Sequence, residues 1–188
     1  MSLQTRLTAL AEAIGADIKA LHAGAGGGGS TAGRMMIPIM AGSMQPSASG
    51  GSGVLTNVAT SANQPDILTL NFNQTTQQHA QFSIPFPKRW NHGTITARFR
   101  WSHASTTTNF GCVWGIQAVA VSDNEAINQA YGTATEVTDT GGPANRLYVS
   151  PETSALTVAG TPTDGDTVFF RVYRKAAAAA DTLAIVSR

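Results

Sequence analysis

The groups in this chain that could do acid–base, nucleophilic or metal chemistry are four histidines, one cysteine and eleven acidic residues. Their spacing favours none of the three. His22, His79, His92 and His103 lack the close pairing by which zinc sites usually declare themselves. His92 and His103 flank a strand-like run, and a metal there would need a third ligand from elsewhere. The chain has no G-x-S-x-G and no H-E-x-x-H. Cys112 lies in an alternating apolar run, which predicts a small buried hydrophobe rather than a thiol nucleophile, and a single cysteine builds no internal disulfide. Asp164 and Asp166 belong to a turn, and no motif marks a carboxylate pair for glycoside hydrolysis, although sequence alone leaves one open. No catalytic residue, metal or cofactor is therefore expected.

A literal G-x-G-x-x-G occupies residues 24–29. A dinucleotide fingerprint needs a strand before it and a helix after it, whereas here a helical pattern comes first. No lysine follows any glycine, so a P-loop is excluded as well. Binding has a better candidate in Trp90, Asn91 and His92, within the turn-like run Pro87-Lys88-Arg89-Trp90-Asn91-His92-Gly93. An aromatic ring beside Asn and His suits a sugar face. The alternative is that Trp90 and Trp101 plug the ends of a β-domain.

The elements that must position these groups fall into three parts. In residues 1–22, Leu3, Leu7, Leu10, Ile14, Ile18 and Leu21 recur at intervals of four, three, four, four and three, which places them on one helix face. Such a helix would trimerise or anchor the chain as a short, imperfect coiled coil, or fold back on its own domain. Residues 23–34 are glycine-rich and read as a linker.

Residues 35–188 read as β. Strands are expected at Met35–Met40, Ile67–Phe72, around Phe82, Ile84 and Phe86, over Ile95–Trp101, and from Phe110 through Val121. Further strands are expected at Leu147–Val149, Ala155–Val158, Thr167–Tyr173 and Leu183–Val186. Ser47–Gly53 reads as a second flexible stretch, Ser122–Glu125 as the start of a short helix, Asp164-Gly165 as a hairpin turn, and Ala176–Ala180 as a loop or one helical turn. Seven to nine short strands with loop-rich connections predict an all-β fold, an antiparallel β-sandwich or jelly-roll-like domain behind an N-terminal amphipathic helix.

Composition limits the partners. Charged residues make up 12 % of the chain, about half the usual ~25 %, and the net charge is +1. That removes the electrostatic case for nucleic acid or an anionic membrane. The start is amphipathic rather than continuously apolar, unlike a signal peptide, and no run approaches the ~20 apolar residues of a membrane span. A polar, weakly charged surface suits a part that packs against copies of itself.

Residues 3–21, Leu3-Gln4-Thr5-Arg6-Leu7 through Leu21, resemble a segment met in tailed-phage fibre and appendage proteins. Pro87–Ala97, Val113–Asp123 and Gly165–Arg174 resemble phage structural β-domains. The resemblance covers most of the chain and carries no catalytic motif. It implies a virion component, a homotrimer with a helical stalk and three β-heads, partnered by tail or capsid proteins and in some cases by host surface glycans. A capsid decoration protein and a carbohydrate-active enzyme on the same scaffold are the rival expectations. Similar proteins run on into one more strand after the last apolar segment, whereas here the sequence reaches Arg188, which leaves the pairing of the last sheet edge to be decided.

Overall fold

Twelve consecutive residues, Phe110–Val121, alternate between two sets of small and apolar side chains, and in the computed structural model they form one long strand with almost every side chain buried. The structure describes residues 4–5, 7–8, 10, 12–17, 35–88 and 90–188. The chain divides into two units, Met1–Pro38 and Ile39–Arg188.

In the first unit, Gln4, Thr5, Leu7, Thr8, Leu10 and residues 12–17 have helical backbone. Leu7, Leu10 and Ile14 are 67 %, 58 % and 49 % exposed. Leu3, Ile18, Leu21 and the linker 23–34 lie outside the described residues. Met35–Met40, expected as a strand, has no regular structure, and Met35, Met36 and Met40 are exposed. Pro38 removes a ladder donor from the middle of that run.

The second unit is mostly β, with antiparallel strand pairing. In chain order its strands are β1 (Gln45–Pro46), β2 (Leu55–Val58), β3 (Ile67–Leu70), β4 (Gln78–Pro85), β5 (Arg100–Trp101), β6 (Phe110–Val121), β7 (Thr135–Gly141), β8 (Tyr148–Val149) and β9 (Thr167–Arg174). The main sheet has the order β1-β4-β9-β6-β7, and β2-β3 and β5-β8 form two smaller pairs. Period-2 alternation gives the main sheet two faces. On one lie Ala80 and Phe82 of β4, Val168, Phe170 and Val172 of β9, and Cys112, Trp114, Ile116 and Ala118 of β6, all in one apolar cluster. The other face carries Gln81, Arg171 and Gln117 in one row and His79, Tyr173, Gly115 and Glu136 in the next.

The apolar face is covered by extended segments joined through single bridges rather than long ladders. Ile95 pairs with Leu156, Phe99 with Ser150, and Ser187 with both Phe72 and His103. Arg188 and Ser102 exchange two backbone hydrogen bonds of 2.6 and 3.0 Å. The last residues thus lie between two other segments and are paired on both sides. Rings on these segments meet Trp114: Phe72 edge-on at 5.3 Å and Phe99 stacked at 5.6 Å.

Several expectations need correction. Ser47–Gly53 is not free: the His79 carbonyl accepts the amides of Ser47 and Ser52, and the His79 amide donates to Gly50. Its glycines allow this, since a Cβ on Gly51 would come within 2.3 Å of the Ser47 carbonyl oxygen. No helix forms after Ser122. Glu125 does accept the Ser122 amide through its side chain, but Asn124 adopts φ +62° and closes a turn instead. Asp164-Gly165 is a turn, with Gly165 at φ +89°, yet it joins no hairpin, because β9 pairs with β4 and β6 while Leu156 pairs with Ile95.

One buried ion pair fastens the end of the chain to the sheet. Arg174, at the end of β9, is completely buried, as is the Asp181 carboxylate. Its guanidinium donates to both Asp181 oxygens at 2.6 and 2.9 Å, to the Ile185 carbonyl at 2.6 Å and to the Leu183 carbonyl. Asp181 also accepts the Val113 amide of β6 at 3.0 Å. Asp181→Ala would strand a buried guanidinium, so it should lower the unfolding free energy by about 3–5 kcal/mol, measured by urea denaturation.

Candidate functional site

Trp90, Asn91 and His92 sit where the sequence places them, in a turn after β4, but their groups are turned to structural tasks. Arg89, in the same run, lies outside the described residues. Trp90 packs into the core cluster against Phe86, ring centroids 4.3 Å apart, with its indole Nε1 buried and without a hydrogen bond. Asn91 Oδ1 accepts the Gly93 amide at 3.0 Å and so closes an Asx turn. His92, at φ +56°, meets Asp164 at 3.0 Å on the surface and turns its ring edge to Trp90. Asn91 and His92 are exposed, whereas the Trp90 indole nitrogen is not.

The other acids near these segments also have partners. Asp139 accepts the Trp101 indole N–H at 2.8 Å, and Glu152 meets Thr96 and Arg98. Asp166 accepts the Thr163 amide at 2.7 Å, a bond that holds its carboxyl below the ordinary carboxylate value. Arg98 thus pairs within its own chain. Cys112 is fully buried, and desolvation pushes its thiol far above the ordinary value, so it stays protonated.

His103 is fully buried between rings, stacked on Tyr148 at 5.4 Å and edge-on to Phe110 at 4.7 Å. Its Nδ1 accepts the Ser105 amide at 3.1 Å, which requires the neutral tautomer with hydrogen on Nε2. Burial, and secondarily the Arg188 charge, hold its pKa below 6.5, against an opposing pull from the Gly142 backbone.

The polar face of the main sheet carries the densest set of functional groups, and the sequence reading does not single it out. Arg171 of β9 donates through Nε and Nη2 to Gln117 Oε1, at 3.1 and 2.6 Å, and its guanidinium carbon lies 4.8 Å from the centre of the Tyr131 ring. Gln117 Nε2 is fixed in turn by the Gly132 carbonyl at 2.8 Å. In the next row Tyr173 lies across Gly115, where a Cβ would come within 2.3 Å of the ring, and donates to Glu136 at 2.8 Å. Glu136 also holds Lys175 at 2.8 Å. The signal was legible: in Thr167–Arg174 the residues alternating with Val168, Phe170 and Val172 are Phe169, Arg171 and Tyr173.

Beside this face, a groove of about 460 Å³ runs between residues 132–135 and 154–159. Its walls are glycine, alanine, serine and threonine, with no ionisable group for acid–base work. Comparison with protein-family models, curated proteins and solved structures finds no match to this chain.

Two outcomes follow for the histidines and Trp90. The unfolded chain takes up a proton at His103 from pH 6.5 downward while the folded chain resists it, so stability falls as pH drops below 6.5. Denaturant midpoints at about pH 7.5 and pH 5.5 should therefore differ, and less so in His103→Gln. Trp90→Ala should cost about 2–4 kcal/mol of stability through lost packing, whereas His92→Ala should change it by less than about 1 kcal/mol.

Proposed function

We propose that this chain is a structural part of a tailed-bacteriophage virion, a homotrimeric fibre or appendage of tail or head. In this reading residues 1–22 form a helix that joins three copies or anchors them, 23–34 are a flexible tether, and the β-domain is a sandwich head displayed towards the host surface. No enzymatic step is assigned to it.

The observation that carries the assembly is the exposed apolar stripe. Leu7, Leu10 and Ile14 are on helical backbone and half to two-thirds exposed, at the spacing of a helix–helix seam. Helices of this length are marginal alone in water, so burying the stripe against copies is what would stabilise it. The virion assignment rests on the resemblance of residues 3–21, 87–97, 113–123 and 165–174 to phage structural segments. The sandwich is supported by the bridged segments that lie over the apolar face of the main sheet.

A second reading, a capsid decoration protein gripping the shell through its β-domain, is favoured by one feature. Val54, Leu55, Ile67 and Leu68, on and beside the β2–β3 pair, are exposed apolar residues on that domain itself.

Particles assembled from a genome encoding this chain separate the two. A fibre predicts copy numbers in multiples of three, and particles that lack the protein when residues 1–22 are deleted although the remaining domain still unfolds cooperatively. Decoration predicts that the truncated protein stays on the shell, and that particles without the protein lose heat or salt resistance. Absence of the protein from purified particles contradicts both.

A further inference from the structure

Arg171 is a half-buried cation that forms no ion pair among the described residues. Glu136, a carboxylate in the next row of the same face, is occupied by Tyr173 and Lys175. Partial burial makes an uncompensated guanidinium costly, yet this one is held in place from two directions. Tyr131 fixes its plane, and Gln117 takes the edge formed by Nε and Nη2. Five N–H groups less these two leave three, both on Nη1 and one on Nη2. One N–H on each Nη lies along the end of the fork, the edge that receives a carboxylate through two parallel hydrogen bonds.

The surroundings narrow the ligand. Arg171, Gln117 and Gln81 keep partial exposure on this sheet face, and the half-buried rings of His79, Phe169 and Tyr131 lie on or over it around Arg171. Desolvation and the Arg171 charge hold His79 below its ordinary value, so it is neutral near pH 7. Lys175 is neutralised by Glu136. A ligand here meets one directed cation among aromatic surfaces, which suits the C–H face of a sugar bearing a carboxylate.

We propose that the polar face of the main sheet is a binding site for acidic saccharides, in which the free edge of Arg171 takes the carboxylate of a uronic acid and the neighbouring rings take the sugar faces. The site stands whether or not the chain is a virion part. Clustering of copies would convert weak single-site binding into useful avidity.

Titrating the full chain with tetra-galacturonate tests this, with a neutral tetrasaccharide and a short poly-glutamate as comparisons. The expected result is saturable binding in the millimolar range that shifts the Arg171 Nε–H resonance. R171Q and R171K should each weaken it about tenfold or more, since lysine keeps the charge and loses the fork. Tyr131→Leu, which leaves the arginine in place, should weaken binding severalfold and serves if R171Q does not fold. No shift of the Arg171 resonance up to about 10 mM, equal binding of the neutral sugar, or undiminished binding by R171Q overturns the proposal. Tighter binding of poly-glutamate overturns it in favour of a peptide carboxylate.

Discussion

The β-domain depends most on the contact between Arg174 and Asp181. A buried guanidinium needs a counter-charge and partners for its remaining donors, and all of these come from residues 181–185. Meeting that demand draws residues 181–185 back to Arg174 at the end of β9 and beside Gly111 and Val113 of β6. Ser187 can then pair with Phe72 and His103, and Arg188 with Ser102. Those pairings in turn hold the segments that cover the apolar face of the main sheet. The same run closes over Cys112, which lies beside Ser187 and within reach of the Arg174 and Asp181 charges. One polar contact thus fixes where the apolar cover goes, although the area it brings out of water does more for stability than the ion pair itself.

How much of this was legible in the sequence depends on whether a strand has two chemically different faces. β4 and β9 do, and their alternation located them closely, while β6 was legible as one long run of apolar and small residues. β7 does not: Thr135-Glu136-Val137-Thr138-Asp139-Thr140-Gly141 has one apolar side chain larger than alanine, and the side chain that points inward with it, Asp139, is acidic. Its place in the sheet comes from pairing with β6, a tertiary contact no local pattern reports. β2 is four residues long and half exposed, too short for periodicity to show. Glycines misled at 47–53, where they permit close backbone approach rather than freedom. The Ser122–Glu125 pattern did form its side-chain hydrogen bond, but a left-handed Asn124 turned the chain before a helix could propagate.

The candidate ligand contacts show a related limit of residue type. Trp90, Asn91 and His92 were chosen by residue type, and type alone does not say whether a ring faces the core or solvent. The half-buried groups that stand together on one face, Arg171, Gln117 and Tyr131, are separated in sequence by up to 54 positions. Only the register between β6 and β9 brings Gln117 opposite Arg171. What did carry through is the low charge and its local pairing: Arg174 meets Asp181, Lys175 meets Glu136 and Arg98 meets Glu152, and many of the exposed apolar residues fall within 7–14, 35–40, 54–55 and 67–68. A weakly charged surface with apolar residues gathered in such places fits the proposed reading of a part covered by other parts.

The measurement closest to the central claim, that this chain is built to assemble through its first 22 residues, is the absolute mass in solution by light scattering. Full-length protein and a version starting at Met35 would be compared. The account predicts a full-length mass of three times 19.5 kDa, roughly 58 kDa, and a monomeric truncation. Two monomers would contradict it, because the apolar stripe would then have no copy to bury it. Two trimers would move the assembly contact from the helix to the β-domain.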